Sequence, residues 1–239
     1  MMKTHLDINS TINDFVKEDM RRSNVFEELG IDACCGGAKS LAEACREKGL
    51  DPQTVLDRLH TEDAAADSAA QEKDWSQAGL TELATHIEET HHTYLKKALP
   101  RLSALIAKVE AAHAARHPEL LQLGKAFALL RADLEPHMMK EEQVLFPMVR
   151  KLDSRTGGSG VSGGMLQGPV RVMRMEHQRV ERLQDEIRSL TQNFTFPEDG
   201  CQTYRLMLDE LKILDEDLQV HIYKENEILF ARLPGVEAV

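Results

Sequence analysis

Phe127, Leu130 and Leu134, and after a gap Val144 and Met148, keep one alternation of three- and four-residue steps, the spacing of a single buried stripe on a helix. Met207, Leu211, Leu214 and Leu218, and after a gap Ile228, repeat that rhythm, and Val170, Met173 and Val180 carry it in a third stretch. A fourth stretch holds two phases: Leu95, Leu99, Leu102, Ile106 and Val109 form one stripe, whereas the upstream Leu80, Leu83 and Ile87 point to another. Pro100 is the candidate for a kink between them. The pattern predicts four long helices near residues 78–113, 118–152, 169–192 and 201–232, and an all-α fold.

The connections predict two helical hairpins. Arg116-His117-Pro118 joins the first pair and Asn193 to Gly200, with Pro197, the second; the Gly/Ser-rich SRTGGSGVSGGMLQG between them reads as a mobile crossing. Upstream, residues 1–60 read as a small helical domain: an amphipathic stretch from about Thr11 to Leu29, a helix after Ser40, and one opened by Asp51-Pro52. Residues 61–77, TEDAAADSAAQEKDWSQ, offer almost nothing to bury except Trp75 and read as a flexible linker, leaving 78–239 to the bundle. A chain of 239 residues exceeds the roughly 100–200 of one typical domain, in keeping with this division.

Charge and cysteine content narrow the function. A net charge of −11 disfavours nucleic acid and anionic membrane surfaces as partners. The N-terminus MMKTHLDINS lacks the apolar core of a signal peptide and no stretch is long and apolar enough to span a bilayer, so a cytoplasmic location is expected. Cys34, Cys35, Cys45 and Cys201 match neither a disulfide framework nor a zinc motif; Cys45 and Cys201 read as buried packing residues.

The gaps in the stripes hold the chemistry. His137 and Glu141 fill one, His221 and Glu225 the other, and His177 continues the third stripe. For any one of these the plain reading is a core histidine beside a solvent-facing glutamate, but the same choice recurs on separate helices. Burying imidazole and carboxylate without a partner costs several kcal/mol, and a metal supplies one. Residues i and i+4 share a helix face, so each histidine reaches one ion while its glutamate reaches across to a second. HMMKEEQVLFP at 137–147 matches HIYKENEILFA at 221–231 at an offset of 84, the mark of a duplicated hairpin. His177 lies 85 residues beyond His92, which supplies the fourth helix's ligand; periodicity favours His92 over its neighbour His91 and leaves both open. Imidazole with carboxylate and no thiolate suits iron, manganese or zinc. Asp133, four before His137, reads as a carboxylate that orients an imidazole, and Glu176 as a reserve ligand or a solvent-facing charge. Glu142 and Glu227 read as solvated charges, and Met138, Met139, Met148 and Met173 as packing.

On IDACCGG at 31–37, HMMKEEQVLFPM at 137–148, MEH at 175–177 and HIYKENEILF at 221–230, the chain resembles the hemerythrin-like RIC (repair of iron centres), or ScdA-type, di-iron proteins over nearly its whole length. The resemblance implies a hemerythrin-like up-and-down four-helix bundle with two non-haem iron ions joined by an oxo or hydroxo bridge. It places iron on His92, His137, His177 and His221 with Glu141 and Glu225 bridging, and so selects His92 over His91. It implies repair of iron-sulfur clusters damaged by nitrosative or oxidative stress, by iron donation to apo or damaged iron-sulfur proteins. The alternatives are a di-iron nitric oxide reductase and a gas-binding sensor module, with nitric oxide or dioxygen as small ligands and a homodimer left open. It also assigns Cys34 and Cys35 to redox or iron-transfer chemistry, where the residues alone suggest a structural turn. The fifth histidine that lets hemerythrins carry oxygen reversibly, four residues from a ligand in a His-x-x-x-His pair, has no counterpart beside His92, His137, His177 or His221.

Overall fold

Every named element among the described residues is helical, and the one β contact is an isolated bridge between Thr11 and Ser40. The computed structural model describes residues 6–18, 22–31, 39–69, 74–153 and 163–236. Contacts divide the chain into two units, residues 1–73 with Cys201–Asp209, and Asp74–Gly200 with Glu210–Val239.

The first unit contains α1 (Ile12–Glu18), α2 (Arg22–Glu28), α3 (Leu41–Lys48) and α4 (Pro52–Ala69), around a core that includes Ile12, Phe15, Phe26, Leu41 and Leu59. Within the stretch expected as one helix from Thr11 to Leu29, residues 19–21 lie outside the described residues. Ser40 opens α3 through a reciprocal capping box with Glu43, and Gly49 closes it at φ 68°, a left-handed position suited to glycine. α4 runs on to Ala69, through the first part of the segment read as a linker. A polar, alanine-rich segment buries little, but alanine has the highest helix propensity, so poor burial did not mean loss of helix. Cys34 and Cys35 and the glycine-rich segment 154–162 lie outside the described residues.

In the second unit, α5 comprises Leu80–Ile87, a π turn Glu88–His92 and Thr93–His113. α6 comprises Glu119–Lys140, a π turn Glu141–Leu145 and Phe146–Asp153. α7 is Gln167–Leu190, and α8 comprises Gln202–Tyr223, of which the residues to Asp209 fall in the first unit, and a π turn Lys224–Leu229. This is the helical bundle that the periodicity predicted: α5 packs on α6, α6 on α7, and α5 on the π turn of α8. None of the described helices is long and apolar enough to cross a membrane.

The π turns explain where the buried stripes depart from strict alternation. An i→i+5 turn adds one residue to the helical register. Beyond Glu141 the buried positions are Leu145, Phe146 and Val149, and Val144 is 51% exposed with Met148 only half-buried. Beyond Glu225, Leu229 is buried in place of Ile228. In α5 the same slip joins the two phases, from Leu83 and Ile87 to Leu95 and Leu99. The slip thus falls at Glu88–His92, while Pro100 sits inside the continuous segment Thr93–His113.

Candidate metal centre

The three π turns meet at one level of the bundle, and there the structure gathers His92, His137, Glu141, His177, His221 and Glu225, each buried to at least 98%. Their side-chain nitrogen and oxygen atoms form two groups, His92–Glu141–His221–Glu225 and His137–Glu141–His177–Glu225, with the atoms of each group within 4.8 Å of one another. Both carboxylates belong to both groups. Glu141 Oε2 lies 3.3 Å from the Nε2 atoms of His92 and His137, and Glu225 lies 3.1 Å from His221 Nε2 and 3.0 Å from His177 Nε2.

His91, which periodicity ranked behind His92, is buried as well, because the π turn changes the angle between successive residues. It belongs to neither group. Its Nδ1 is 2.8 Å from Asp217 Oδ1, its Nε2 is 3.2 Å from Lys224 Nζ, and its ring lies parallel to that of His221 at 5.1 Å.

A carboxylate only accepts hydrogen bonds, so the groups behind the imidazoles reveal their tautomers. His92 Nδ1 donates to Glu142 Oε1 at 2.8 Å and His137 Nδ1 to Glu176 Oε2 at 2.9 Å; His177 Nδ1 faces Asn226 Oδ1 at 3.1 Å. Each bond turns the Nε2 lone pair inward. Glu142, expected as a solvated charge, and Asn226, which no apolar stripe marks, each directly follow a cluster glutamate in the two copies of the duplicated motif. Glu176 is neither solvent-facing nor in a group; it holds His137 from outside and pairs with Lys140. Asp133, expected to orient an imidazole, instead pairs with Arg179, because four residues before His137 is one turn away along the helix rather than behind the ring. Met138 and Met173 are packing residues, Met139 faces solvent, and Cys201 is exposed rather than buried, whereas Cys45 is buried.

The centre fits cations on an observation independent of its residue types. Both oxygens of Glu141, Glu225 Oε2 and His92 Nε2 are buried with no hydrogen-bond partner, and His137 Nε2 faces His177 Nε2 at 3.1 Å. Converging lone pairs and orphaned carboxylate oxygens in a dry interior are unfavourable unless positive charge lies between them. A proton is one such charge. Burial pulls His137 down, but Glu141, Glu176 and Glu225 outweigh it and hold its pKa up at about 10. Glu225 is raised by burial and lowered further by His221 and His177, ending well below the ordinary carboxylate range. Glu176 is lowered to about 2 by the hydrogen bond from His137.

These shifts set a pH dependence. At pH 7 the His137 site carries a proton that a cation must displace, so metal loading should release protons and the apparent affinity should rise with pH towards 10, by about tenfold per unit for each proton displaced. Calorimetric titration in two buffers of different ionisation enthalpy measures the proton count. An affinity constant between pH 6 and 9 would contradict the assignment.

Phe146 closes the centre beside His92, ring centroids 5.8 Å apart, and Phe230 lies parallel to His177 at 6.1 Å. These two aromatics are themselves 84 residues apart, so the duplication extends to the apolar wall.

Comparison with known proteins agrees with this architecture. The Hemerythrin HHE cation binding domain matches residues 83–233, and ScdA_N, a domain of unknown function, matches residues 8–63. The iron-sulfur cluster repair protein YtfE of Escherichia coli O81 (strain ED1a) is 37% identical over 212 residues, covering 89% of this chain and 90% of that protein. The protein of the same name from Cronobacter sakazakii (strain ATCC BAA-894) is likewise 37% identical, with the same coverage.

Proposed function

Because this chain belongs to the hemerythrin HHE cation-binding family, alongside iron-sulfur cluster repair proteins that match it over nearly their full length, we propose that it repairs damaged iron-sulfur clusters by donating iron held in its bundle. In this reading His92 and His221 would hold one non-haem iron ion and His137 and His177 a second, with Glu141 and Glu225 available to both. The observation that carries it is the sharing itself: two groups of four donors with both carboxylates in common suit two ions side by side. An all-nitrogen and oxygen donor set without thiolate suits iron. Bound iron would supply coordination positions for a small ligand and an ion able to leave.

The chain's own residues do the rest. Four imidazoles present their lone pairs inward, three of them held by groups behind the ring, and the apolar wall of Phe146, Phe230, Leu145 and Leu229 excludes water from the carboxylates. Damaged or apo iron-sulfur proteins are the partners this function requires. The test is anaerobic transfer of iron from the loaded protein to an apo-cluster protein, followed by the visible absorbance of the rebuilt cluster, beside a parallel incubation with nitric oxide. Cluster recovery matched by iron loss from the donor is the expected result. Nitrous oxide formation with no recovery of clusters would replace this reading with a di-iron nitric oxide reductase.

A further inference from the structure

The duplicated hairpins place the two halves of the centre in equivalent surroundings, so any difference between them stands out residue by residue. His92 and His177 correspond, and each is backed by the residue that follows a shared glutamate, Glu142 in one case and Asn226 in the other. His137 and His221 correspond as well, but here the halves diverge. Behind His137 stands Glu176, itself paired with Lys140. The position equivalent to Glu176, next to the first-hairpin histidine, is His91, and the position equivalent to Lys140 is Lys224. The carboxylate of one half is thus an imidazole in the other. His91 is turned towards Asp217 and Lys224 and lies flat beside the His221 ring, and His221 Nδ1 is buried with no hydrogen-bond partner.

We propose that this replacement sets the order in which the centre gives up its ions, the position held by His92 and His221 emptying first. The inference rests on the two-iron reading above. An imidazole that donates its outer N–H to a carboxylate is oriented, locked in one tautomer and made a stronger donor, and losing such a partner typically weakens metal affinity about 10- to 100-fold. His137 has that partner and His221 does not. With an ion on Nε2, the His221 Nδ1–H remains buried and unsatisfied, an unfavourable state. His91 is therefore a positioning residue whose effect is to leave His221 unsupported, giving a centre with one readily donated ion and one retained ion.

The test uses the full-length protein loaded anaerobically with iron(II) and challenged with a coloured iron chelator. Two phases of equal amplitude are expected. Crystals grown after the first phase should show the iron anomalous signal retained between His137 and His177 and lost between His92 and His221. His91→Glu, which restores the carboxylate of the other half, should slow the first phase about tenfold or more, and Glu176→Gln should speed the second by a similar factor, bringing the two together. Should His91→Glu fail to fold, the occupancies in the parent protein decide the matter. Two irons at the outset followed by loss from the His137 and His177 position, or by loss in a single phase, would overturn the proposal and leave the two-iron reading intact. A starting content of one iron per chain would overturn both.

Discussion

Glu141→Ala and Glu225→Ala should each empty both ion positions at once, lowering bound iron from about two per chain to near zero, whereas His92→Ala or His177→Ala should spare the opposite position. The difference follows from the sharing of the carboxylates. Removing His92 takes one donor from one group of four; removing Glu225 takes a donor, and a negative charge, from both. The loss of charge matters most. Glu141 and Glu225 are the only carboxylates in the two groups, and both are completely buried, where water cannot substitute for them. Removing either leaves one charge to balance two dications in a medium of low polarity. The measurement is iron per chain after anaerobic loading and desalting, with circular dichroism to verify that each variant remains helical. Two irons retained in Glu225→Ala would mean that the carboxylate bridges nothing.

The second large effect is on stability. Phe146 and Phe230 are fully buried, and each belongs to the apolar cluster formed with Leu83, Ile87, Leu145, Val149 and Leu229 beside the centre. Truncating a ring of this size in a close-packed interior leaves a cavity as well as removing apolar burial, at a cost of about 3–5 kcal/mol. For a unit of this length each kcal/mol lowers the melting temperature by about 2–4 °C, so Phe146→Ala and Phe230→Ala should fall by about 6–20 °C without metal. Met175, which is 61% exposed on α7, provides the contrast: Met175→Ala should stay within about 0.5 kcal/mol of the parent. Chemical denaturation of the metal-free proteins separates this packing effect from any loss of metal, since the rings lie against His92 and His177 but offer them no donor atom. A change below about 1 kcal/mol in both phenylalanine variants would show that this wall repacks freely.

Much of the bundle was legible before any coordinates, because helical burial follows spacing along a single chain segment. Phe127, Leu130, Leu134 and His137 on α6, and Leu211, Leu214, Leu218 and His221 on α8, are buried in the phase their spacing predicts. The duplication, read from one repeated string, also led to the pair His92 and His177. The stripes slip at one place on each of three helices, at the π turns Glu88–His92, Glu141–Leu145 and Lys224–Leu229. Val144 and Ile228 were expected inside, but one inserted residue moves that role to Leu145 and Leu229. The sequence carried a trace of this in α5, where the two phases of the stripe disagree by one position; the cause is the π turn at Glu88–His92 rather than Pro100.

What the sequence by itself determined was the set of side chains that share a buried face, since periods of three and four are local and each depends on residues within one helix. Tertiary structure alone decided which group stands behind which imidazole. Glu142 reaches His92 across 50 residues, Asn226 reaches His177 across 49, and Glu176 reaches His137 across 39, in every case from a different helix. Such partners lie outside their own helix's apolar stripe, where the local pattern marks them as surface charges; they become structural only when a second helix brings a buried ring against them. Asp133 shows the converse, being correctly spaced on its own helix and yet turned to Arg179. Helical periodicity fixes direction around one axis, and the registry between axes, on which each of these hydrogen bonds depends, is set by how whole helices pack.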